Sequence, residues 1–143
     1  MPTRKADATW RGGLRDGKGS MKLESGAFEG AYSFGTRFEE AKGSNPEELI
    51  AAAHAGCFSM AFSAGLEKAG FKPQRVSTNA AVRIENTGGG FSITRIDLTT
   101  EAEIRGIDEQ KFQQLANEAK DGCPVSKALK AVGDIRLIAK LVS

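Results

Sequence analysis

Residues 45–70 read NPEELIAAAHAGCFSMAFSAGLEKAG and organise everything around them. Asn45 is placed to cap a helix, Pro46 takes the first helical position, and Glu47 and Glu48 fill the first turn, with Glu48 spaced to reach back as a capping box. Lys68 and Gly70 mark the end. Between them, residues 49–66 are almost all small or apolar with little amphipathic contrast, so the expectation is a central buried helix covered on most sides. The length could suggest a membrane span, but the run is rich in Ala and Gly and carries His54, Ser59 and Ser63. The mean hydropathy of −0.32 also opposes that reading.

On the N-terminal side, short β-type runs at residues 8–11, 20–25 and 31–34 alternate with glycine-rich turns, the pattern of a strand meander. On the C-terminal side, residues 75–86 place Val76, Ala80, Val82 and Ile84 on one face. Thr87-Gly88-Gly89-Gly90 then joins them to a second strand at residues 91–104, giving a long hairpin. Asp108 caps a second helix with Phe112, Leu115, Ala116 and Ala119 on one stripe, stopping at Gly122. Cys123 and Pro124 open a short third helix over residues 125–131, and a closing strand at 134–142 alternates Ile135, Leu137, Ala139 and Leu141. Strands, buried helix, hairpin, helix pair and strand in that order predict an α+β fold with antiparallel sheets, in one domain over residues 1–143.

The charge excludes some functions. Twenty basic and 18 acidic residues give +2, spread along the chain, which leaves no basic stripe for phosphates and argues against a nucleic acid partner. The N-terminal MPTRKADATW has no apolar stretch and no small-residue cleavage site, so the expected compartment is the reducing cytoplasm. There, a pair of cysteines is more often catalytic or redox-sensing than a structural staple, with two inert buried thiols as the bland alternative.

The two cysteines have opposite settings. Cys57, in mid-helix, needs a positive group to become a thiolate, because burial alone raises a thiol pKa. Cys123, before Pro124 at a helix start, is the more acidic thiol by position. Spacing does not say which attacks and which resolves. Arg37 is the best-placed cation for stabilising a thiolate and a leaving alkoxide, although a surface arginine at a strand end would look the same. Glu47 could hold Arg37 by a bidentate pair, or simply suit the helix N-terminus. Ten residues separate Glu47 from Cys57, roughly 15 Å along one helix axis, so a shared site calls for a second copy of the chain and a symmetric dimer. His54, three residues before Cys57, could act as a base but reads better as a satisfied core or interface histidine. Cys57, Cys123 and His54 lack zinc-ligand spacing, and the glycines lack the context of a phosphate loop, so neither metal nor nucleotide cofactor is expected.

Three stretches carry a resemblance to a known family: residues 36–39 (TRFE), residues 43–61 (GSNPEELIAAAHAGCFSMA) and residues 119–126 (AKDGCPVS). With them, the chain resembles the OsmC/Ohr family, the osmotically inducible and organic hydroperoxide resistance proteins, and His54 with Phe58-Ser59-Met60 is closer to the OsmC branch. The resemblance implies an intertwined homodimer and a peroxidase that reduces organic hydroperoxides. In it the thiol matching Cys57 attacks, that matching Cys123 resolves through a disulfide, and Arg37 and Glu47 assist. It also implies re-reduction by a lipoylated protein or another dithiol. Phe38, Leu49, Phe58 and Met60 near these positions would favour a bulky organic hydroperoxide over hydrogen peroxide. The competing reading is a non-catalytic redox sensor or an apolar-ligand binding protein.

Overall fold

Turns at Gly12-Gly13 and Ser25-Gly26 divide the N-terminal residues into three strands, β1 (Ala6–Arg11), β2 (Lys18–Leu23) and β3 (Glu29–Tyr32), paired antiparallel in that order. Gly19 lies opposite both Trp10 and Tyr32, whose ring centroids are 5.3 Å apart. A Cβ at Gly19 would stand 2.5 Å from Trp10 Cε3 and 2.6 Å from Tyr32 Cε1, so only glycine lets the two rings meet across the central strand. The computed structural model describes residues 1–142 and divides into two compact units, Met1–Leu49 and the remainder from Ile50 onward.

The first unit contains one element that the sequence did not announce, at the end of the run read as a strand at residues 31–34. Residues 34–38 form a five-residue helix, α1 (Phe34–Phe38). Ser33 caps it: its hydroxyl accepts from Thr36 N at 3.2 Å while Thr36 Oγ1 accepts from Ser33 N at 2.9 Å. A loop then leads to α2 (Pro46–Lys68), whose start matches expectation, with Asn45 Oδ1 accepting from Glu48 N at 2.8 Å. The Glu48 carboxylate accepts from the Asn45 side-chain amide at 3.1 Å.

The second unit holds the core. The hairpin strands β4 (Pro73–Asn86) and β5 (Phe91–Ile104) pair antiparallel, and α3 (Glu109–Gly122), α4 (Pro124–Ala128) and a 3-10 turn at Lys130–Val132 lead to β6 (Ile135–Val142). Contrary to the all-antiparallel expectation, β6 pairs with β5 in parallel. The helices between them act as a crossover that brings the chain back to run in the same direction as β5. Alternation in β6 is identical for either direction, so sequence could not decide it.

His54, Phe58, Phe62 and Leu66 of α2 are fully buried, spaced four apart. Phe62 meets Phe58 at 5.7 Å and Phe112 of α3 at 5.5 Å between ring centroids, and Ile96, Leu98, Ala102 and Ile104 of β5 complete the cluster. Each fully buried aromatic or aliphatic side chain contributes about 1.5–3 kcal/mol. A line of hydroxyls fixes α2 against the hairpin: Ser59 Oγ donates to Thr78 Oγ1 at 2.8 Å, Thr78 Oγ1 and Thr100 Oγ1 are 3.0 Å apart, and Thr100 Oγ1 donates to Ser77 O at 3.1 Å. The helix is not covered on most sides within one chain. Ala52, Ala53, Gly56 and Ala64 are exposed, and Met60 is 76% exposed. By length and composition α2 could cross a membrane, but its buried stripe belongs to the core of the second unit.

Candidate active site

Four residues carry the expected chemistry, and the structure joins them in two pairs. In the first unit, Arg37 on α1 and Glu47 in the first turn of α2 form a bidentate ion pair, Nε to Oε1 and Nη2 to Oε2, both at 3.0 Å. Asn45 helps set the geometry by donating its side-chain amide to Thr36 O at 3.0 Å, tying the start of α2 to the turn that carries Arg37. The Glu47 side chain is 8% exposed and that of Arg37 36%. Arg37 Cζ lies 5.1 Å from the Phe38 ring centroid. The pair consumes Nε–H and one Nη2–H, which leaves Nη1 and the second Nη2–H free of Glu47 for another anion.

In the second unit, Cys57 in the middle of α2 and Cys123 at the junction of α3 and α4 bring their sulfurs to 2.9 Å as free thiols. A disulfide, at ~2.05 Å, would need them about 0.9 Å closer. Cys123 is fully buried, whereas Cys57 is only partly so. Burial pushes the Cys57 thiol up, and Cys123 adds to that through a hydrogen bond and its charge, against a single Val125 N–H that lowers it. Burial also pushes Cys123 up, but hydrogen bonds from Cys57, from the Ser126 and Val125 backbone and from the Ser126 hydroxyl outweigh it, and this thiol falls below its ordinary range. Of the two thiols, Cys123 is therefore the more acidic. This is the order of acidity that position alone suggested.

His54, one turn before Cys57, is fully buried and its Nε2 is 2.7 Å from Ser126 Oγ. Burial lowers its pKa, so the ring is neutral at neutral pH. Ser126 entered the sequence reading only as the last residue of the 119–126 motif, and no local signal would have paired it with His54, 72 residues away. The helix carrying Arg37 was missed for a different reason. Its signal, Ser33 followed three residues later by Thr36, is a capping box with Thr in place of the usual Glu or Gln. Among the described residues, no group of three or more His, Cys, Asp and Glu is arranged to hold a metal ion.

The chain is similar to a recognisable set of proteins. A family model described as OsmC-like protein matches residues 39–137. The chain is 49% identical over 129 residues, 90% of both chains, to Peroxiredoxin OsmC of Escherichia coli. It is 34% identical over 96 residues, 66% of both chains, to the organic hydroperoxide resistance protein of Xanthomonas axonopodis pv. citri. The crystal structure of the organic hydroperoxide resistance protein OhrB of Bacillus subtilis superposes with a TM-score of 0.64 at 25% identity, over 96% of this chain and 98% of that one.

Proposed function

The chain belongs to the OsmC-like protein family, and from that premise we propose that it is a soluble thiol peroxidase in which Cys57 attacks a hydroperoxide and Cys123 resolves the product. Reduction of hydroperoxides agrees with the names of its relatives, a peroxiredoxin and an organic hydroperoxide resistance protein. The observation that carries the assignment within the pair is access: the sulfurs are 2.9 Å apart, and only Cys57 is open to a substrate.

The chemistry follows in two steps. The Cys57 thiolate attacks the terminal peroxide oxygen, forming an S–O bond and breaking O–O, with the alkoxide as leaving group. The departing alkoxide takes up a proton to become the alcohol. The Cys123 sulfur then attacks the Cys57 sulfenic sulfur, forming S–S and breaking S–OH. The hydroxide leaves as water with the thiol proton. A dithiol, such as a lipoyl group on a protein, returns both cysteines to thiols and leaves as its own disulfide.

Cys57 needs help that its own surroundings do not supply, since burial and Cys123 both hold its proton. Arg37, oriented by Glu47, has the free donors to stabilise a thiolate and a developing alkoxide. Glu47 and Cys57 lie ten residues apart on α2, roughly 15 Å along a helix axis, which supports a guanidinium arriving from a second copy of the chain. The exposed Ala, Gly and Met60 face of α2 suits a symmetric helix-to-helix interface. In this reading both units act as one OsmC-like domain of a cytoplasmic homodimer that takes organic hydroperoxides; of the apolar residues near Cys57 in sequence, Phe58 is fully buried in the core and takes no part in selecting them.

The test is turnover of an alkyl hydroperoxide with excess dithiol by wild type and by Cys57→Ser. Catalytic consumption by wild type and none by the variant is expected. Turnover surviving in Cys57→Ser would overturn the assignment, and a single equivalent consumed by wild type would make the protein a sensor.

A further inference from the structure

His54 is a fully buried titratable side chain for which peroxide chemistry has no use. Its ring touches the second cysteine's neighbour instead: Nε2 is 2.7 Å from Ser126 Oγ, while Nδ1 is buried without a hydrogen-bond partner. Ser126 is itself buried, three residues after Cys123. His54 is hydrogen-bonded to Ser126 and Cys123 to Cys57, and the Ser126 hydroxyl, one helical turn after Cys123, is among the groups that lower that thiol's pKa, so the four form a series: His54, Ser126, Cys123, Cys57.

Counting hydrogens gives the series a direction. A neutral histidine carries one N–H, and a serine hydroxyl carries one hydrogen. If Nδ1 held the imidazole hydrogen, it would be a buried donor with no acceptor, the costlier kind of orphan, and Ser126 would spend its only hydrogen on Nε2. With the hydrogen on Nε2, His54 donates to Ser126 Oγ and Nδ1 keeps only a lone pair. The Ser126 hydrogen is then free for the Cys123 sulfur, whose pKa the hydroxyl helps to lower.

From this geometry we infer that His54 is a positioning residue for the resolving step, fixing the Ser126 hydroxyl as a donor to Cys123 so that the sulfur is held as a nucleophile against the Cys57 sulfenic acid. The inference rests on the reading of Cys123 as the resolving thiol. Atoms balance as before: S–S forms, S–OH breaks, and water leaves. The lowered pKa of Cys123, to which the Ser126 hydroxyl contributes, is consistent with it. His54 does not touch the reacting atoms, and it is distinct from a base that would deprotonate Cys57.

The test follows sulfenic acid formation and disulfide closure separately after one equivalent of alkyl hydroperoxide, using a 1,3-dione trap and intact mass. In Ser126→Ala and His54→Leu, closure is expected to slow roughly tenfold or more relative to sulfenic acid formation, with more trapped adduct, the scale of one hydrogen bond to a charged group. His54→Gln, whose amide can place an N–H near Nε2, should recover most of the closure rate. The double variant His54→Leu/Ser126→Ala should close no more slowly than Ser126→Ala, because His54 acts through Ser126. Closure at the wild-type rate in Ser126→Ala, or losses that multiply in the double variant, would overturn the inference. Should wild type form no Cys57–Cys123 disulfide at all, the resolving assignment falls and this inference with it. An unchanged closure rate in Ser126→Ala alone leaves the peroxidase reading standing.

Discussion

The sulfurs of Cys57 and Cys123 stand 2.9 Å apart, yet the more acidic of the two is the one sealed from solvent. Acidity alone would pick Cys123 as the nucleophile, and access picks Cys57. Cys123→Ser is therefore expected to reduce one equivalent of hydroperoxide per chain, accumulate a trappable sulfenic acid at position 57, and lose steady-state turnover with a dithiol. Intact mass spectrometry checks this, and a stable oxidised product located at another residue would contradict it.

The same pair sets a pH dependence. A thiol whose folded pKa is raised binds its proton more tightly in the folded chain, so between the ordinary thiol pKa and the higher folded value Cys57 makes stability fall as pH rises. Cys123, lowered on folding, acts with the opposite sign: between its folded and ordinary values stability rises with pH. Replacing Cys123 by Ser removes the like charge that holds the Cys57 proton and lets a hydroxyl donate to that sulfur. The Cys57 pKa is then expected to move down, read from the pH dependence of its alkylation rate. No shift, or an upward one, would show that Cys123 does not hold the proton on Cys57.

Arg37→Lys keeps the charge but cannot reproduce two parallel N–H donations to Glu47. A fall in kcat/KM of roughly 100- to 1,000-fold is expected, on the scale of losing one preorganised donor to a developing oxyanion. Glu47→Gln should fall less, since the guanidinium remains but loses its fixed orientation. Steady-state kinetics for both variants, with denaturant melts to show that the fold is kept, make the comparison. Wild-type kcat/KM in Arg37→Lys would remove Arg37 from the site.

If Arg37 serves the Cys57 of a second copy, mixing inactive Arg37→Ala and Cys57→Ser protomers restores sites, because one site of each mixed dimer is unmutated. About a quarter of wild-type activity is expected after full exchange. No recovery, with exchange verified by tagged protomers, would place Arg37 and Cys57 of one site on the same chain.

Phe62 touches both Phe58 and Phe112 and is fully buried. Phe62→Ala should cost about 3–5 kcal/mol in chemical denaturation. A loss below 1 kcal/mol would mean that this cluster does not hold α2 to α3.

Much of the fold was legible because local chemistry fixes it. Asn45-Pro46 and Asp108 can do little but start helices, the glycine-rich turn at 87–90 closes a hairpin, and the stripe Phe112, Leu115, Ala116 and Ala119 has the helical period, each as found. The short helix under Arg37 and the parallel direction of β6 were not legible. Five residues carry too little periodicity, and strand alternation is blind to direction.

The sequence by itself determined the α+β class, the family and the candidate residues, because these rest on residue type, spacing and motif. Only the tertiary structure decided which residues meet. It placed Arg37 on Glu47 through a turn and a loop, Cys57 on Cys123 through a crossover of helices, and His54 on Ser126 across 72 residues. Those contacts depend on where packing of the core sets each backbone, and local sequence patterns do not encode such distances. Solvent access belongs to the same class of fact. It is a property of the neighbours around a sulfur, and it separates Cys57 from Cys123 more clearly than their local sequences do.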